Sequence, residues 1–228
     1  RLGVDLPSGT WFGEGCREPV QETVGDSLVN EETLGGGACL AGVDEAGRGP
    51  LAGPVVAAAV VFRKPVSLPG LNDSKQVSPR QREILFRQIL LHASVGIGRV
   101  SESVIDEINI YQATRLAMRE AVLALPQTPR LVLIDGKISL DLPLPQRGIV
   151  RGDAQSACIA AASIVAKVHR DHWMKAMDGI YPDYGFARHK GYPTRYHLER
   201  LQIHGASLIH RKSFAPVRKV ESLYAEHV

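Results

Sequence analysis

The segment 55–61 constrains the fold more than any other feature, because every residue in it is valine or alanine. A run of small and β-branched residues without a polar position is typical of a strand that is buried on both faces. Such a strand needs packed layers on both sides of its sheet. The segment 38–43 is also short and apolar, and a glycine-rich turn separates the two. We therefore predict two neighbouring strands within an α/β fold.

The rest of the chain alternates between helical and extended patterns. Ser78, Pro79 and Gln81 form the pattern of a capped helix start, and this helix is predicted to end near His92. Further strands are predicted at 95–100, 131–134 and 148–150, and further helices at 103–125, 154–178 and 194–204. Strands that alternate with helices indicate an α/β fold with a mixed central sheet.

Charge is distributed unevenly along the chain. Residues 1–38 contain two basic and seven acidic residues, so a total net charge of +3 leaves +8 on the remainder. Residues 1–37 also lack a sustained period and end in three glycines, which is typical of a flexible spacer. We interpret 1–37 as an acidic, disordered N-terminal tail and 38–228 as the folded domain.

The segment 186–220 is strongly basic. It contains eight lysines or arginines and four histidines against one acid, Glu199. We interpret it as a basic surface, which attracts polyanions such as nucleic acid. Charge alone leaves open a basic domain without such a partner.

Simple counts exclude several classes of protein. No apolar run reaches the roughly 18 residues that a membrane-spanning helix needs, and the first residues lack the layout of a secretory signal. The cysteines Cys16, Cys39 and Cys158 have no metal-binding spacing, and their odd number argues against a disulfide framework. A cytosolic enzyme or binding protein remains.

Acidic residues follow three of the short apolar segments. These acids are Asp44 with Glu45, then Asp135, and then Asp153. Ligands of α/β sheets bind at strand ends, so the four carboxylates are expected to converge. Carboxylates a few ångströms apart raise one another's pKa unless a cation is present, and oxygen ligands suit Mg²⁺ or Mn²⁺. Two such ions catalyse phosphodiester hydrolysis in other proteins, so this pattern favours a nuclease.

Each of these residues also has a structural interpretation. Asp44 and Glu45 fit an ordinary turn, Asp135 with Gly136 is a frequent turn dipeptide, and Asp153 fits the N-cap of the next helix. The segment 47–49, Gly-Arg-Gly, allows either close approach of a ligand to the backbone or a tight hairpin with positive φ. Spacing alone leaves both interpretations open.

Taken together, the motifs resemble bacterial ribonuclease HII. The stretch AGVDEAGRGPLAGPV at 41–55 is similar to the opening motif of that family. The resemblance continues through LNDSK at 71–75, IDG at 134–136, GDA at 152–154, AAASIVAKV at 160–168, YP at 181–182, YG at 184–185, HKGY at 189–192 and HRKSFAPV at 210–217. It covers about residues 38–218 with the motifs in the family's order.

The resemblance implies a ribonuclease H-like fold, with a mixed five-stranded sheet flanked by helices and a helical, basic C-terminal segment. Residues 38–228 would then be the catalytic domain. The implied activity is endonucleolytic hydrolysis of the RNA strand of RNA–DNA hybrids, and cleavage at single ribonucleotides in duplex DNA, leaving 5′-phosphomonoesters. Two Mg²⁺ or Mn²⁺ ions are the implied cofactors. A cytoplasmic monomer that acts in replication-linked repair is expected.

The resemblance also assigns roles to individual residues. The family's metal-binding carboxylates correspond to Asp44, Glu45, Asp135 and Asp153. Its ribose-sensing segment corresponds to Gly47, Arg48 and Gly49. The tyrosine that packs on the sugar corresponds to Tyr192, and the phosphate contacts correspond to Lys75 and Lys167. The alternative for Tyr192 is a packing role in the core or at its rim, and the alternative for Lys75 and Lys167 is a solvated side chain. Gln155 stands where many relatives have Lys or Arg, so we expect no phosphate contact there.

Two other functional classes share part of this pattern. A hybrid-binding module without catalysis would share the basic C-terminal segment, but it would not need four acids. A different nuclease or a transposase on the same fold would share the acids and would lack the Gly-Arg-Gly segment and Tyr192.

Overall fold

Five strands form one mixed sheet in the computed structural model, which describes residues 39–64, 68–71 and 77–225. The strands are β1 (Leu40–Ala46), β2 (Val55–Phe62), β3 (Ala93–Val100), β4 (Leu131–Asp135) and β5 (Gln146–Ile149), in the order β3-β2-β1-β4-β5. The pairs β1–β2 and β2–β3 are antiparallel, whereas β1–β4 and β4–β5 are parallel. The predicted mixed five-stranded sheet is confirmed.

Helices cover both faces of this sheet. They are α1 (Pro79–His92), α2 (Glu102–Leu123), α3 (Ala157–Ile180), α4 (Phe186–His189), α5 (Arg195–His204) and α6 (Ala215–Ala225), with 3-10 turns at Gly152–Ala154 and Pro182–Tyr184. On one face Val55 and Ala57 pack in a core with Met118 of α2. On the other face Ala58 and Val60 share a core with side chains of α1 and α3. Strand β2 is therefore buried on both faces, as its composition predicts.

Helix starts follow the capping residues closely. The Ser78 hydroxyl accepts a hydrogen bond from the Gln81 N–H, as predicted for α1. Helix α2 begins earlier than predicted because Ser101, not Ser103, is its N-cap. Helix α3 begins at Ala157 with Ser156 as N-cap, so the interpretation of Asp153 as a helix cap is wrong.

Two other expectations need correction. Strand β5 ends at Ile149, before the predicted 148–150 segment is complete, because Arg151 adopts a left-handed conformation with φ 55° and ends the extended backbone. The predicted helical patterns end at residue 204, but helix α6 follows them, within the C-terminal segment that the resemblance implies is helical. The predicted tail 1–37 and Lys75 lie outside the described residues. Among the described helices, none has the length and apolar character required to cross a bilayer.

Candidate active site

Three parallel strands end at the same edge of the sheet, where Asp44 and Glu45 lie within the end of β1 and Asp135 is the last residue of β4. The register pairs Val43 with Ile134, so Asp44 and Asp135 come next on neighbouring strands. Asp153 lies in the 3-10 turn after β5. The Gly152 N–H donates to Asp135 Oδ1 at 2.7 Å, which ties this turn to β4. Topology thus places the acids of three separate motifs at one edge of the sheet.

Asp44 is the most buried of these acids, with 5% of its surface exposed. Burial raises the pKa of Asp44 well above its ordinary value, and the charges of Glu45 and Asp135 raise it further. The pKa of Glu45 is also raised by burial, while the neighbouring Arg48 guanidinium opposes that shift. Desolvated like charges at short range are the arrangement that a bound cation stabilises.

The acids fit a hard divalent cation. Glu45 Oε2 is buried and has no hydrogen-bond partner among the described residues. The donor set is entirely oxygen, which suits Mg²⁺ or Mn²⁺. Within the described ranges, no three acidic, histidine or cysteine side chains are close enough to form a ready-made ion site. Asp135 nevertheless lies close enough to raise the pKa of both Asp44 and Glu45.

The Gly-Arg-Gly segment, residues 47–49, lies directly beside these acids. Gly47 has a φ of 101°, and a Cβ atom there would lie 2.2 Å from Arg170 Nε, so only glycine fits. The Arg48 side chain is 47% exposed, and its Nη1 lies 3.3 Å from Glu45 Oε1. The turn therefore requires a positive φ and also presents a cation at the edge of the carboxylate site.

Tyr192 and Lys167 lie next to this segment. A Cβ atom on Gly49 would be 3.6 Å from Tyr192 Cε1, and the Tyr192 side chain is 41% exposed. Lys167 Nζ lies 5.9 Å from the centroid of the Tyr192 ring and 2.7 Å from Asp171 Oδ1. The structure thus groups the predicted sugar and phosphate contacts with the acids, while Lys75 lies outside the described residues.

Comparison with known proteins decides the family. A sequence model of ribonuclease HII matches residues 41–217. The chain belongs to the ribonuclease HII family. Ribonuclease HII of Geobacillus kaustophilus is 57% identical over 182 residues, which is 79% of this chain and 70% of the relative. Ribonuclease HII of Desulfitobacterium hafniense is 49% identical over 223 residues, which is 96% of this chain and 86% of the relative. This second alignment includes residues of the segment 1–37.

Solved structures agree with that assignment. The ribonuclease H2 of Pyrococcus horikoshii matches with a TM-score of 0.70 and 27% identity, over 82% of this chain and 99% of the other. Bst-RNase HIII in complex with Mn²⁺ matches with a TM-score of 0.60, over 83% of this chain and 71% of the other. At 16% identity the second match shows the fold alone. The protein is therefore a ribonuclease H with a ribonuclease H-like fold.

Two buried arginines of this ribonuclease were not identified from the sequence as site residues. Arg170 and Arg211 are fully buried, and both donate hydrogen bonds to carbonyl groups of the segment 47–54. Arg211 was counted among the basic surface residues, and that interpretation is wrong. A signal existed in the sequence, because Arg211 stands inside the HRKSFAPV motif beside the buried His210.

The histidines of the basic segment are also mostly internal. His189, His197 and His210 are buried, so the expectation that they add to a basic surface is wrong. The rings of His189 and His197 stack with centroids 4.3 Å apart, and the Nε2 atoms of His197 and His210 are 3.0 Å apart. They lie in an aromatic cluster with Phe186 and Tyr184, which supplies the apolar surroundings that disfavour a charge.

Hydrogen bonds assign one neutral tautomer to each of these three rings. His210 Nδ1 accepts from the Ser207 N–H, so its Nε2–H donates to His197 Nε2. His197 Nδ1–H then donates to the Tyr192 carbonyl. His189 Nδ1 accepts from the Gly191 N–H, and its Nε2–H donates to the Tyr184 carbonyl. An additional proton on any ring would break one of these bonds, so the network requires neutral histidines.

We predict that His197 and His210 each lower the stability of the folded protein in mild acid. Burial lowers the pKa of His197 to about 4 and that of His210 to about 3. Below about pH 6.5 the unfolded chain binds protons that the folded chain does not, so stability is full above pH 6.5 and falls toward pH 4. One such histidine costs about 3 kcal/mol by pH 4.

Urea unfolding at pH 7.5, 6 and 5 measures this loss. The variant His197→Asn keeps a donor for the Tyr192 carbonyl and removes one titrating group, so its stability should fall less steeply with acid. The exposed His172, which pairs with Glu83, provides the control His172→Gln. Equal slopes for wild type and His197→Asn would contradict the assignment of neutral rings.

Gln155 has a structural role in the turn before Asp153. Its Nε2 lies 2.6 Å from the Val150 carbonyl oxygen and 3.3 Å from that of Arg151. The side chain therefore folds back on the turn in which Arg151 is left-handed. This geometry leaves no amide N–H directed at a phosphate, in line with the expectation for this position.

Proposed function

We propose that this ribonuclease cuts duplex DNA at single embedded ribonucleotides as well as cleaving the RNA strand of RNA–DNA hybrids. The observation that carries the proposal is the position of residues 47–49 beside Glu45 and against Tyr192. A 2′-hydroxyl is the group that distinguishes a ribonucleotide from a deoxynucleotide, so recognition must occur at the sugar. Backbone groups that lie next to the carboxylates couple sugar recognition to cleavage at the same nucleotide.

We assign the metal-binding role to Asp44, Glu45, Asp135 and Asp153, which would hold two Mg²⁺ or Mn²⁺ ions. When bound, such ions supply Lewis acids that activate water and stabilise the charge on a leaving oxygen. The buried, unpartnered Glu45 Oε2 and the raised pKa of Asp44 support this role. The Mn²⁺ complex of Bst-RNase HIII, a protein of the same fold, supports a divalent cation.

The other predicted residues position the substrate. Residues 47–49 would contact the ribose through backbone groups, and the exposed guanidinium of Arg48 would lie beside the phosphate that is cut. The Tyr192 ring would pack on the neighbouring sugar, because Tyr192 is partly exposed and lies next to Gly49. Lys167 would contact a backbone phosphate, and the same role is proposed for Lys75 from the resemblance.

The cellular role follows from this substrate. A nuclease that cuts at a lone ribonucleotide would begin the removal of ribonucleotides that replication leaves in DNA. We propose that it does so in the cytoplasm as a monomer. The products would carry 5′-phosphates.

Cleavage of three matched duplexes tests the proposal. They have the same sequence and contain no ribonucleotide, one ribonucleotide, or a continuous RNA strand. With Mg²⁺ we expect cleavage of the second and third at the ribonucleotides, no cleavage of the first, and none of any duplex in EDTA. A protein that cuts the continuous hybrid and leaves the single ribonucleotide intact would contradict the proposed specificity.

Lys167 gives a prediction on salt dependence. A lysine that contacts phosphate acts without reading sequence, so Lys167→Ala should weaken the single-ribonucleotide duplex and the hybrid equally. The slope of log Kd against log salt should become shallower by about one. The matched control is Lys64→Ala, because Lys64 is exposed just after β2 at the opposite end of the sheet. An unchanged slope for Lys167→Ala would mean that Lys167 pairs with Asp171 and does not contact phosphate.

A further inference from the structure

We propose that Arg211 is a positioning residue that orients the peptide groups of residues 47–49 for ribose recognition. The inference rests on the proposed function and extends it to a residue that does not reach the substrate. Arg211 belongs to the chain segment between α5 and α6, far in sequence from the segment it contacts. Its side chain has 0% of its surface exposed.

The Arg211 guanidinium donates only to main-chain carbonyl groups. Nη2 lies 2.6 Å from the Gly47 oxygen, and Nη1 lies 3.1 Å from the Arg48 oxygen. Nη1 also contacts the Pro50 oxygen at 2.8 Å, while Nε and Nη2 contact the Gly53 oxygen at 2.9 and 2.7 Å. One planar group thus satisfies the carbonyls of four residues along a tight loop.

A buried cation without a carboxylate in contact carries a desolvation cost. That cost shows in the pKa of Arg211, which burial lowers to about 9. The positive charge of Arg170 lowers this pKa further, while Glu102 and Asp106 oppose the shift only through longer-range attraction. A buried arginine in this setting is explained by the geometry it imposes on the loop rather than by an ion pair.

That geometry determines where the neighbouring N–H groups point. In a planar trans peptide, the carbonyl of one residue and the N–H of the next point in opposite directions. Because Arg211 holds the carbonyls of Gly47 and Arg48, the N–H groups of Arg48 and Gly49 point away from it. Neither N–H donates to another described residue, and both residues are exposed. Arg211 therefore presents two free backbone donors at the edge of the carboxylate site.

Arg170 supports the same loop from another side. Its Nε and Nη2 donate to the carbonyls of Pro54 and Ala52 at 2.9 and 3.0 Å. Its Nη1 donates to the Lys190 carbonyl at 3.0 Å, next to the turn that carries Tyr192. This arginine fixes the end of the loop, whereas Arg211 fixes the peptides at 47–49.

Lysine cannot replace the planar guanidinium group of Arg211. It keeps the charge, but it has one flexible ammonium group in place of five donors in a fixed plane. The variant Arg211→Lys should satisfy only part of the carbonyl set and leave the peptides at 47–49 free to rotate. A rotated peptide withdraws its N–H from the ribose while the acids stay in place.

Steady-state kinetics of Arg211→Lys on the single-ribonucleotide duplex test the proposal. We expect KM to rise by about three- to tenfold, the effect of one lost hydrogen bond. The Ki of the matched all-DNA duplex, measured as a competitor, should stay unchanged because it has no 2′-hydroxyl to lose. Arg119→Lys is the matched control, since Arg119 also donates to a remote carbonyl, that of Asp141. It should keep wild-type values.

A merely structural role gives a different pattern. Partial unfolding lowers the active fraction, so apparent kcat falls while KM and Ki stay constant, and that result would overturn the proposal. An equal rise of KM and Ki would also overturn it. Wild-type protein that does not cut the single-ribonucleotide duplex would refute the proposed function instead.

A second variant decides the matter if Arg211→Lys does not fold. Asp106 accepts hydrogen bonds from the N–H groups of Lys212 and Ser213, which follow Arg211 directly. Asp106→Asn weakens this support from the surface of the protein. It should show the same selective rise in KM, by about two- to threefold. A normal KM for a folded Asp106→Asn would then count against the proposal.

Discussion

Asp44→Asn and Asp135→Asn should each abolish most of the cleavage of a continuous RNA–DNA hybrid while the protein stays folded. We expect kcat to fall by at least about two to three orders of magnitude at saturating Mg²⁺, because each change removes one charge that stabilises the reaction. The melting temperature should hold or rise, since Asp44 is desolvated beside Glu45 and Asp135.

The prediction requires that activity falls while the melting temperature does not. Asp141→Asn is the matched control, because Asp141 is exposed in the connection between β4 and β5 and lies outside the strand ends. It should keep wild-type kcat. Near-wild-type turnover of Asp44→Asn with saturating Mg²⁺ would remove Asp44 from the metal site.

Tyr192→Ala should affect a lone ribonucleotide in DNA far more than a continuous hybrid. An aromatic ring on a sugar senses its shape, and loss of one such contact costs about 1–3 kcal/mol, a five- to hundredfold fall in kcat/KM. The enzyme can bind a continuous hybrid at many positions along the RNA strand, so loss of this contact at one position matters less. Steady-state kinetics on the two substrates give the ratio directly.

Two variants control for loss of packing in that experiment. Tyr192→Phe keeps the ring and should retain most of the selectivity. Tyr111→Ala removes a tyrosine of similar exposure from α2 and should lower neither kcat/KM. Equal losses on both substrates for Tyr192→Ala would reduce Tyr192 to a packing role.

The sheet was predictable because its strands have strong local signals. The valine and alanine run of β2 is buried in a strand with packed layers on both faces, and the acids Asp44, Glu45 and Asp135 stand at the ends of β1 and β4. The starts of α1 and α5 were predictable from their capping residues, because a serine or threonine before a periodic segment accepts a hydrogen bond from a free N–H group of the first helical turn.

What the sequence could not reveal is contact between distant segments. Arg211 and His210 look like members of a basic surface, because a count of charges contains no information on burial. Their interior position depends on how the segment after α5 folds back over residues 47–54, which only the tertiary structure defines. Helix α6 is expected only from the resemblance, as part of a helical C-terminal segment.

The central claim is that Asp44, Glu45, Asp135 and Asp153 form one divalent cation site, and metal-dependent thermal stability tests it most directly. A ligand that binds only the folded state raises the melting temperature, and the rise grows with the ratio of free ligand concentration to Kd. Melting curves of wild type, Asp44→Asn and Asp141→Asn, each with EDTA or saturating Mn²⁺, require no substrate. We predict that Mn²⁺ raises the melting temperature of wild type and Asp141→Asn and has little effect on Asp44→Asn. An equal rise in all three proteins would contradict the claim, because the ion would then bind elsewhere.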